Sequence, residues 1–332
     1  MRIIVLVHAS LVPPSENLDE DSIIGQPWST EYYVISTLRE LNHEVQPVGL
    51  TDDLSILRTA IEEFKPNLVF NLLEEFDGEA NFDHYIVSYL EMLRIKYTGC
   101  NPRGLMLARD KALSKKIMKY HRIKTPDFLV FRRHQSIRIP SRLQFPLFVK
   151  TLNEEASLGI SQESIVSNKE QLKKRIEYLF ENFGTDVIAE TFVKGREFYV
   201  GIYGNSSIKV LPPWELFFDN VPDHNPRIAT RTVKWDLKYR EKMGIRTGPA
   251  SELESEHIRE IQRICRRTYK SLELSGYARM DLRWDEDDGF HIIEANPNPD
   301  IGYGEEFADS AEHVGMDYPQ LLKKILNLGL KW

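Results

Sequence analysis

The sequence predicts a mixed fold, α/β and α+β, in two or three packed units, and three observations carry that expectation. Strand-like and helix-like segments alternate through residues 1–103, the pattern of a parallel sheet with helices on both faces. Shorter strands and helices follow through residues 104–186 and again through 187–332. Near the end, residues 277–296 form a long hairpin around an acidic turn at 285–288. The 332 residues suffice for such a division at roughly 100–200 residues per domain.

Each element has its own signal. Residues 3–7 are a short β-branched run, and residues 30–41 have helical apolar spacing with Ser29 as a candidate N-cap. A second strand at 43–48, a helix at 54–64, a strand at 67–73 opened by Pro66, and a helix near 83–93 complete the first unit. In the second, a helix over 105–120 would place Met106, Leu113, Ile117 and Tyr120 on one stripe and the lysines elsewhere. Strands at 128–131 and 145–150 precede a helix that starts at Asn168, with Gln171 as capping-box partner, and stops before Gly184. In the third, strands at 187–191 and 197–203 flank the turn Lys194-Gly195. Residues 212–232 lack a clean period and are expected as a long loop, a feature more often functional than idle. Helices at 255–272 and 318–328 flank the hairpin.

Composition narrows the function. Hydrophobic residues at 42% and charged residues at 28% are ordinary for a globular chain. Lys and Arg number 43 against 50 Asp and Glu, a net charge of −7 that argues against a general hold on nucleic acid or anionic lipid. Cys100 and Cys265 have no paired spacing, which fits a reducing compartment. The apolar run at the N-terminus is too short for a signal peptide, and no stretch approaches the roughly 18 apolar residues that span a bilayer. A cytoplasmic protein is expected. The nine histidines are scattered, without the close pairs of a zinc site, and no G-x-G-x-x-G follows the first strand, which argues against a dinucleotide-dependent dehydrogenase.

The hairpin GYARMDLRWDEDDGFHIIEANPNPD is the most informative segment. Side chains alternate along a strand, so Arg279 and Asp281 share one face, as do Glu294 and Asn296 on the return. If pairing is symmetric about the acidic turn, Asp281 opposes Glu294 and Arg279 opposes Asn296, at about 5 Å between Cβ atoms. Two facing carboxylates repel unless a cation lies between them, and Mg²⁺ suits such hard oxygen ligands. Asn296 adds a neutral oxygen, and the Arg279 fork suits phosphate oxygens. Taken alone, the hairpin fits equally a structural ladder of salt bridges.

The chain resembles the ATP-grasp superfamily, and within it the D-alanine–D-alanine ligases. The resemblance runs through NLVFNLLEE, KYTGCN, ARDKALSKKIMKYHRIKTPDF, FPLFVKTLNEEASLGI, VIAETFVKGREFYV, GYARMDL and IIEANPNPD, in order along nearly the whole chain. It implies a substrate-side parallel-sheet domain at 1–103, a central subdomain at 104–186, and a C-terminal subdomain at 187–332 carrying the metal site, the last two enclosing ATP. It implies metal ligands Asp281, Glu294 and Asn296 for Mg²⁺ (two ions, with Mn²⁺ as a substitute), and Arg279 beside the transferring phosphoryl group. Lys111 and Lys150 match the phosphate-holding lysines, with Lys234 as a further candidate. Glu190, Thr191, Phe192 and Val193 match the linker along the adenine edge, Glu197 the ribose acceptor, and Ser157 the flap over the phosphates. The implied reaction activates a small-molecule carboxylate as an acyl phosphate and passes it to an amine, releasing ADP and phosphate. Such chemistry needs placed charges and exclusion of water rather than a protein nucleophile. The resemblance also suggests a homodimer.

The substrate end departs from the family. Where the ligases carry a Gly-Met turn and a serine that holds a D-alanine carboxylate, this chain has Pro299-Asp300-Ile301 and then Glu305-Glu306. The flap reads Glu155-Ala156-Ser157 in place of Gly-Ser-Ser, the first acid after strand one is Glu16, and Glu74 stands where histidine is common. Asp300 and Glu305 suit an amino or guanidinium group, so the expected acceptor is an amino acid or small peptide other than D-alanine. An authentic D-alanine–D-alanine ligase and a catalytically silent ATP-binding regulator are the alternatives.

Overall fold

The computed structural model describes residues 1–332 except 16, 142, 154–158, 223–225, 251 and 332. Strands β1 (Arg2–His8), β2 (Glu44–Leu50) and β3 (Leu68–Asn71) form a parallel sheet in the order β2-β1-β3. The interior of β1, residues 3–7, is apolar and feeds two cores by alternation. Ile4 and Leu6 pack with residues of helices Leu54–Phe64 and Asp83–Met92; Ile3, Val5 and Val7 pack with residues of helices Ser29–Glu40 and Tyr318–Gly329. The expected helices on both faces are there. The final helix, expected within the 187–332 unit, returns to cover this first sheet. Ser29 is not an N-cap: it lies inside its helix, and Trp28 takes the cap position without a side-chain bond.

The helix expected over 105–120 is two helices, Pro102–Arg109 and Lys111–Tyr120. Asp110 between them is extended, and its carboxylate accepts the N–H groups of Ala112 and Leu113, capping the second helix. The expected apolar stripe fails as well. Met106 and Tyr120 are exposed, whereas Lys111, Ala112, Ser114, Lys115 and Met118 are buried. Lys111 and Lys115, expected off the apolar stripe, are inside the protein.

Strands β4 (Phe128–Phe131), β5 (Leu147–Thr151), β6 (Ile165–Val166) and β7 (Val187–Thr191) form an antiparallel sheet in the order β4-β7-β5-β6. Helix Lys169–Phe183 covers one face through Leu172, Ile176 and Leu179. Asn168 caps it as expected, but the Gln171 side chain reaches back to the Ser167 N–H, one residue short of a full capping box. The other face meets Ala112 of helix Lys111–Tyr120.

The remaining strands are β8 (Arg196–Tyr203), β9 (Lys209–Val210), β10 (Trp214–Phe218), β11 (Ile245–Pro249), β12 (Tyr277–Asp285) and β13 (Gly289–Pro297). They pair in the order β11-β10-β8-β12-β13, with β9 on β8. β10 falls where a loop was expected; five residues between Pro212-Pro213 and Asp219-Asn220 are too few to show a period. Helix Ser255–Ser271 packs on one face against Phe198, Val200 and Ile202 of β8 and Ala278, Met280 and Leu282 of β12. Strand alternation therefore turns Glu197, Tyr199, Gly201, Arg279, Asp281 and Arg283 to the other face.

β13 needs one extra step. Its core residues are Phe290, Ile292 and Ala295, a spacing of two and then three. Leu282 pairs with Ile292 while Asp281 pairs with Glu294, so Ile293 is a β-bulge. Pairing counted from the acidic turn without the bulge would set Asp281 against Ile293 and send Glu294 into the core. The bulge is what delivers the register expected at the functional end of the hairpin.

Gly195 in the β7–β8 turn has φ +93°, and a Cβ there would stand 2.0 Å from the Trp284 carbonyl oxygen. Gly195→Ala is expected to destabilise the protein by roughly 2 kcal/mol or more, read as a lowered midpoint in thermal or denaturant unfolding. An unchanged midpoint would contradict the tight turn.

Candidate active site

The open face of the large sheet carries its polar residues in cross-strand columns. Tyr199, Asp281 and Glu294 form one, Gly201, Arg279 and Asn296 the next, and Glu197 and Arg283 a third. Arg279 forks onto its strand neighbour Asp281, with Nε 2.7 Å from Oδ1 and a terminal nitrogen 3.0 Å from Oδ2, and lies 3.7 Å from Glu306. The cations for Glu294 come from elsewhere. Lys111 Nζ is 2.9 Å from its Oε1 and Lys150 Nζ 3.6 Å from its Oε2. Burial alone would raise the Glu294 pKa, but these two lysines hold the carboxyl well below the usual range. Burial likewise disfavours the Lys150 charge, yet Glu190 and Glu294 outweigh it and the pKa is raised.

Lys115 is a site residue that the sequence reading missed. Fully buried, it donates to the Ile293 carbonyl at 2.7 Å and the Thr125 hydroxyl at 3.1 Å, and lies 3.4 Å from Glu190. Burial draws its pKa down to about 8 against the pull of Glu190. A bulge residue drops out of the regular ladder, and here Lys115 takes its carbonyl. The signal was available: Lys115 is four residues after Lys111, on the same helix face. Arg283, two residues beyond Asp281, was missed in the same way. It donates to Glu197 and to the Gly195 carbonyl, both at 2.8 Å.

Two connected lobes lie over this face. The first, about 610 Å³, is walled by Phe148, Thr191, Phe192, Val193, Ile228 and Ile293, with Lys150, Glu190, Glu197 and Lys234 at its margin. The linker is therefore beside the cavity, although the Phe192 N–H already donates to the Pro146 carbonyl at 3.1 Å. Glu190 Oε1 is buried and accepts no hydrogen bond, with Lys115 and Lys150 3.4 and 3.6 Å away. Glu197 lines the lobe but is held by Arg283 and by the Tyr199 hydroxyl at 3.1 Å.

The second lobe, about 1430 Å³, gathers Lys111, Lys150, Lys234, Arg279, Asp281, Glu294 and Asn296 with Asp300, Glu305 and Glu306. Lys234, on the short helix Arg231–Trp235, adds to the depression of the Glu294 pKa. Glu74 also lines this lobe. Ser157, with Glu155, Ala156 and Glu16, lies outside the described residues.

The donor set fits a hard divalent cation. Asp281 and Glu294 are oxygen donors on one face, and the half-buried Asn296 has a buried amide Nδ2 without a partner, which a half-turn of the amide would make an oxygen. Among the described residues no three His, Cys, Asp or Glu side chains cluster tightly enough to hold a metal alone. Mg²⁺ takes one or two carboxylates and fills its remaining positions with phosphate and water.

Comparisons with known proteins identify the family. Residues 116–327 match the family model of the D-ala D-ala ligase C-terminus. A D-alanine–D-alanine ligase of Carboxydothermus hydrogenoformans is 30% identical over 80% of this chain and 83% of its own length. An uncharacterized protein of Sinorhizobium fredii, y4sG, is 29% identical over 91% and 89%. In structure, the D-alanine–D-alanine ligase of Bacillus anthracis, solved in complex with ATP, superimposes with a TM-score of 0.77 at 24% identity, covering 100% of this chain and 98% of its own. The chain is an ATP-dependent ligase that forms a C–N bond. With 116–327 inside the family model, it belongs to the D-alanine–D-alanine ligase family, on the ATP-grasp fold.

Proposed function

We propose that the chain joins the carboxylate of one small molecule to an amine other than D-alanine, at a site built on Asp281, Glu294 and Asn296. The observation that carries this reading is the facing pair Asp281 and Glu294 beneath three cationic side chains, Arg279, Lys111 and Lys150. Asp281, Glu294 and Asn296 would hold two Mg²⁺ ions, or Mn²⁺ in their place, and the metal would neutralise charge on the transferring phosphoryl group. Lys111, Lys150 and Lys234 hold phosphate oxygens, and Arg279 turns its fork from Asp281 toward the γ-phosphate. The linker 190–193 borders the adenine and Glu197 meets the ribose. These assignments follow the family pattern and the side chains gathered at the two lobes.

The bond changes are two. A substrate carboxylate oxygen bonds to the γ-phosphorus as the bond to ADP breaks. The amine nitrogen then attacks the activated carbonyl carbon, inorganic phosphate leaves, and the nitrogen gives up a proton. Both steps need the site dry, since water would compete with the amine.

Asp300, Glu305 and Glu306 support an acceptor other than D-alanine, because they line the lobe where a D-alanine carboxylate would have to sit. Kinship favours a second reading, an authentic D-alanine–D-alanine ligase, since relatives of that name are 26–30% identical over most of the chain. Phosphate release with Mg²⁺, ATP and a panel of amino acids and dipeptides separates the two. D-Alanine as the best substrate would establish the second reading.

Asp281→Asn is expected to lower ADP formation roughly 100-fold or more with any active substrate; a loss of less than about threefold would remove Asp281 from the site. Lys115→Met leaves Glu190 buried with one cation fewer and is expected to cost roughly 3 kcal/mol in denaturant unfolding. Unchanged stability would mean that Glu190 does not depend on Lys115.

A further inference from the structure

Beyond the hairpin, the loop after β13 and the start of helix Ser29–Glu40 meet at one point. A Cβ on Gly302 would stand 2.4 Å from Thr30 Oγ1, 3.1 Å from Asp300 Oδ1 and 3.4 Å from Glu305 Cγ. Asp300 Oδ1 is fixed there, accepting the Thr30 hydroxyl at 2.9 Å and the Gly302 N–H at 2.8 Å. Glu31, next along the helix, is 5% exposed, and its buried Oε2 has no hydrogen-bond partner. The Tyr318 hydroxyl beside it is also buried and without a partner.

Charge at this point is unbalanced. Burial first, and then Asp300, push both Glu31 and Glu305 up to about 7. Arg279 and Arg240 act on Glu305 in the opposite sense, but the ion pairs of Arg279 go to Asp281 and Glu306. Asp300 and Glu305 are exposed, whereas Glu31 is a buried acid with an unmet oxygen, a state that is costly for the carboxylate unless it takes up a proton or a cation arrives. The rings of Tyr33, Tyr303 and Tyr318 run alongside with centroids 5.6 and 5.7 Å apart, surfaces that also attract cations.

We propose that Asp300 and Glu305, backed by Glu31, bind a second cationic group, ammonium or guanidinium, on the amine substrate. This rests on the ligase reading above and names the class of amine: one that carries a positive group where D-alanine carries its carboxylate.

The test uses the full chain loaded with Mg²⁺ and a non-hydrolysable ATP analogue, titrated by calorimetry with both enantiomers of arginine and lysine and of their uncharged counterparts citrulline and norleucine. At least one charged compound is expected to bind about tenfold or more tightly than its counterpart. Glu305→Gln and Asp300→Asn should each shrink that ratio to about threefold or less. Equal binding within each pair, or no binding of either, overturns the proposal, as does a preference that survives in both variants. Phosphate release with ATP is measured in parallel. Charged compounds that bind preferentially but release no phosphate, alone or with other amino acids, would leave the cation site standing and remove the ligase assignment.

Discussion

Asp281 and Glu294 face each other across two hydrogen-bonded strands, and much of the molecule is arranged so that this pair can exist. Two ionised carboxylates about 5 Å apart repel by roughly 3 kcal/mol at an effective dielectric constant near 20. One would take up a proton unless positive charge were built around them. Here both are met, Asp281 by the fork of Arg279 from its own strand and Glu294 by lysines from other elements. The depressed pKa of Glu294, despite burial, is the electrostatic signature of that solution.

Because those lysines lie elsewhere in the chain, the site also joins parts of the fold. Lys150 is the last residue but one of β5, and Lys111 and Lys115 stand on a helix whose Ala112 packs with Ile188 of the four-stranded sheet and with Leu152 just beyond β5. Their partners Glu294 and Ile293 are on the six-stranded sheet. The bulge at Ile293 serves both ends of this arrangement, since it rotates Glu294 onto the site face and frees the carbonyl that Lys115 takes. Charge pairing across a cleft leaves room for a ligand where an apolar contact would have closed it.

The parts legible in the sequence were those with a local period. Alternation in RMDLRWD put Arg279 and Asp281 on one face, and the register of Asp281 against Glu294 and Arg279 against Asn296 is found in the structure. It arises by a route the sequence did not reveal, since a bulge has no residue signature among β-branched neighbours such as Ile292 and Ile293. The break at Asp110 was hidden because Asp within a helical pattern looks like a tolerated surface residue, although it is also a strong N-cap. Lys111 and Lys115 were harder. Burial of a lysine is decided by distant carboxylates, here Glu190 and Glu294, which no local pattern reveals. β10 went unseen because its five residues make sense only beside β8 and β11.

The same contrast runs through the cleft. One end carries the cations Lys111, Lys150 and Lys234 around the hairpin acids, and the far end is negative, with Asp300, Glu305, Glu306 and, behind them, Glu31. Arg279 stands between, paired to an acid on either side. An amine that carries a second cationic group feels a torque along such a gradient, and with that group drawn to the far end its other nitrogen is left toward the lysines where phosphate would be delivered. A carboxylate entering the far end meets repulsion instead. The gradient thus selects orientation as well as charge, by attraction at each end and penalty for the reverse, which is how specificity is built when contact area is small.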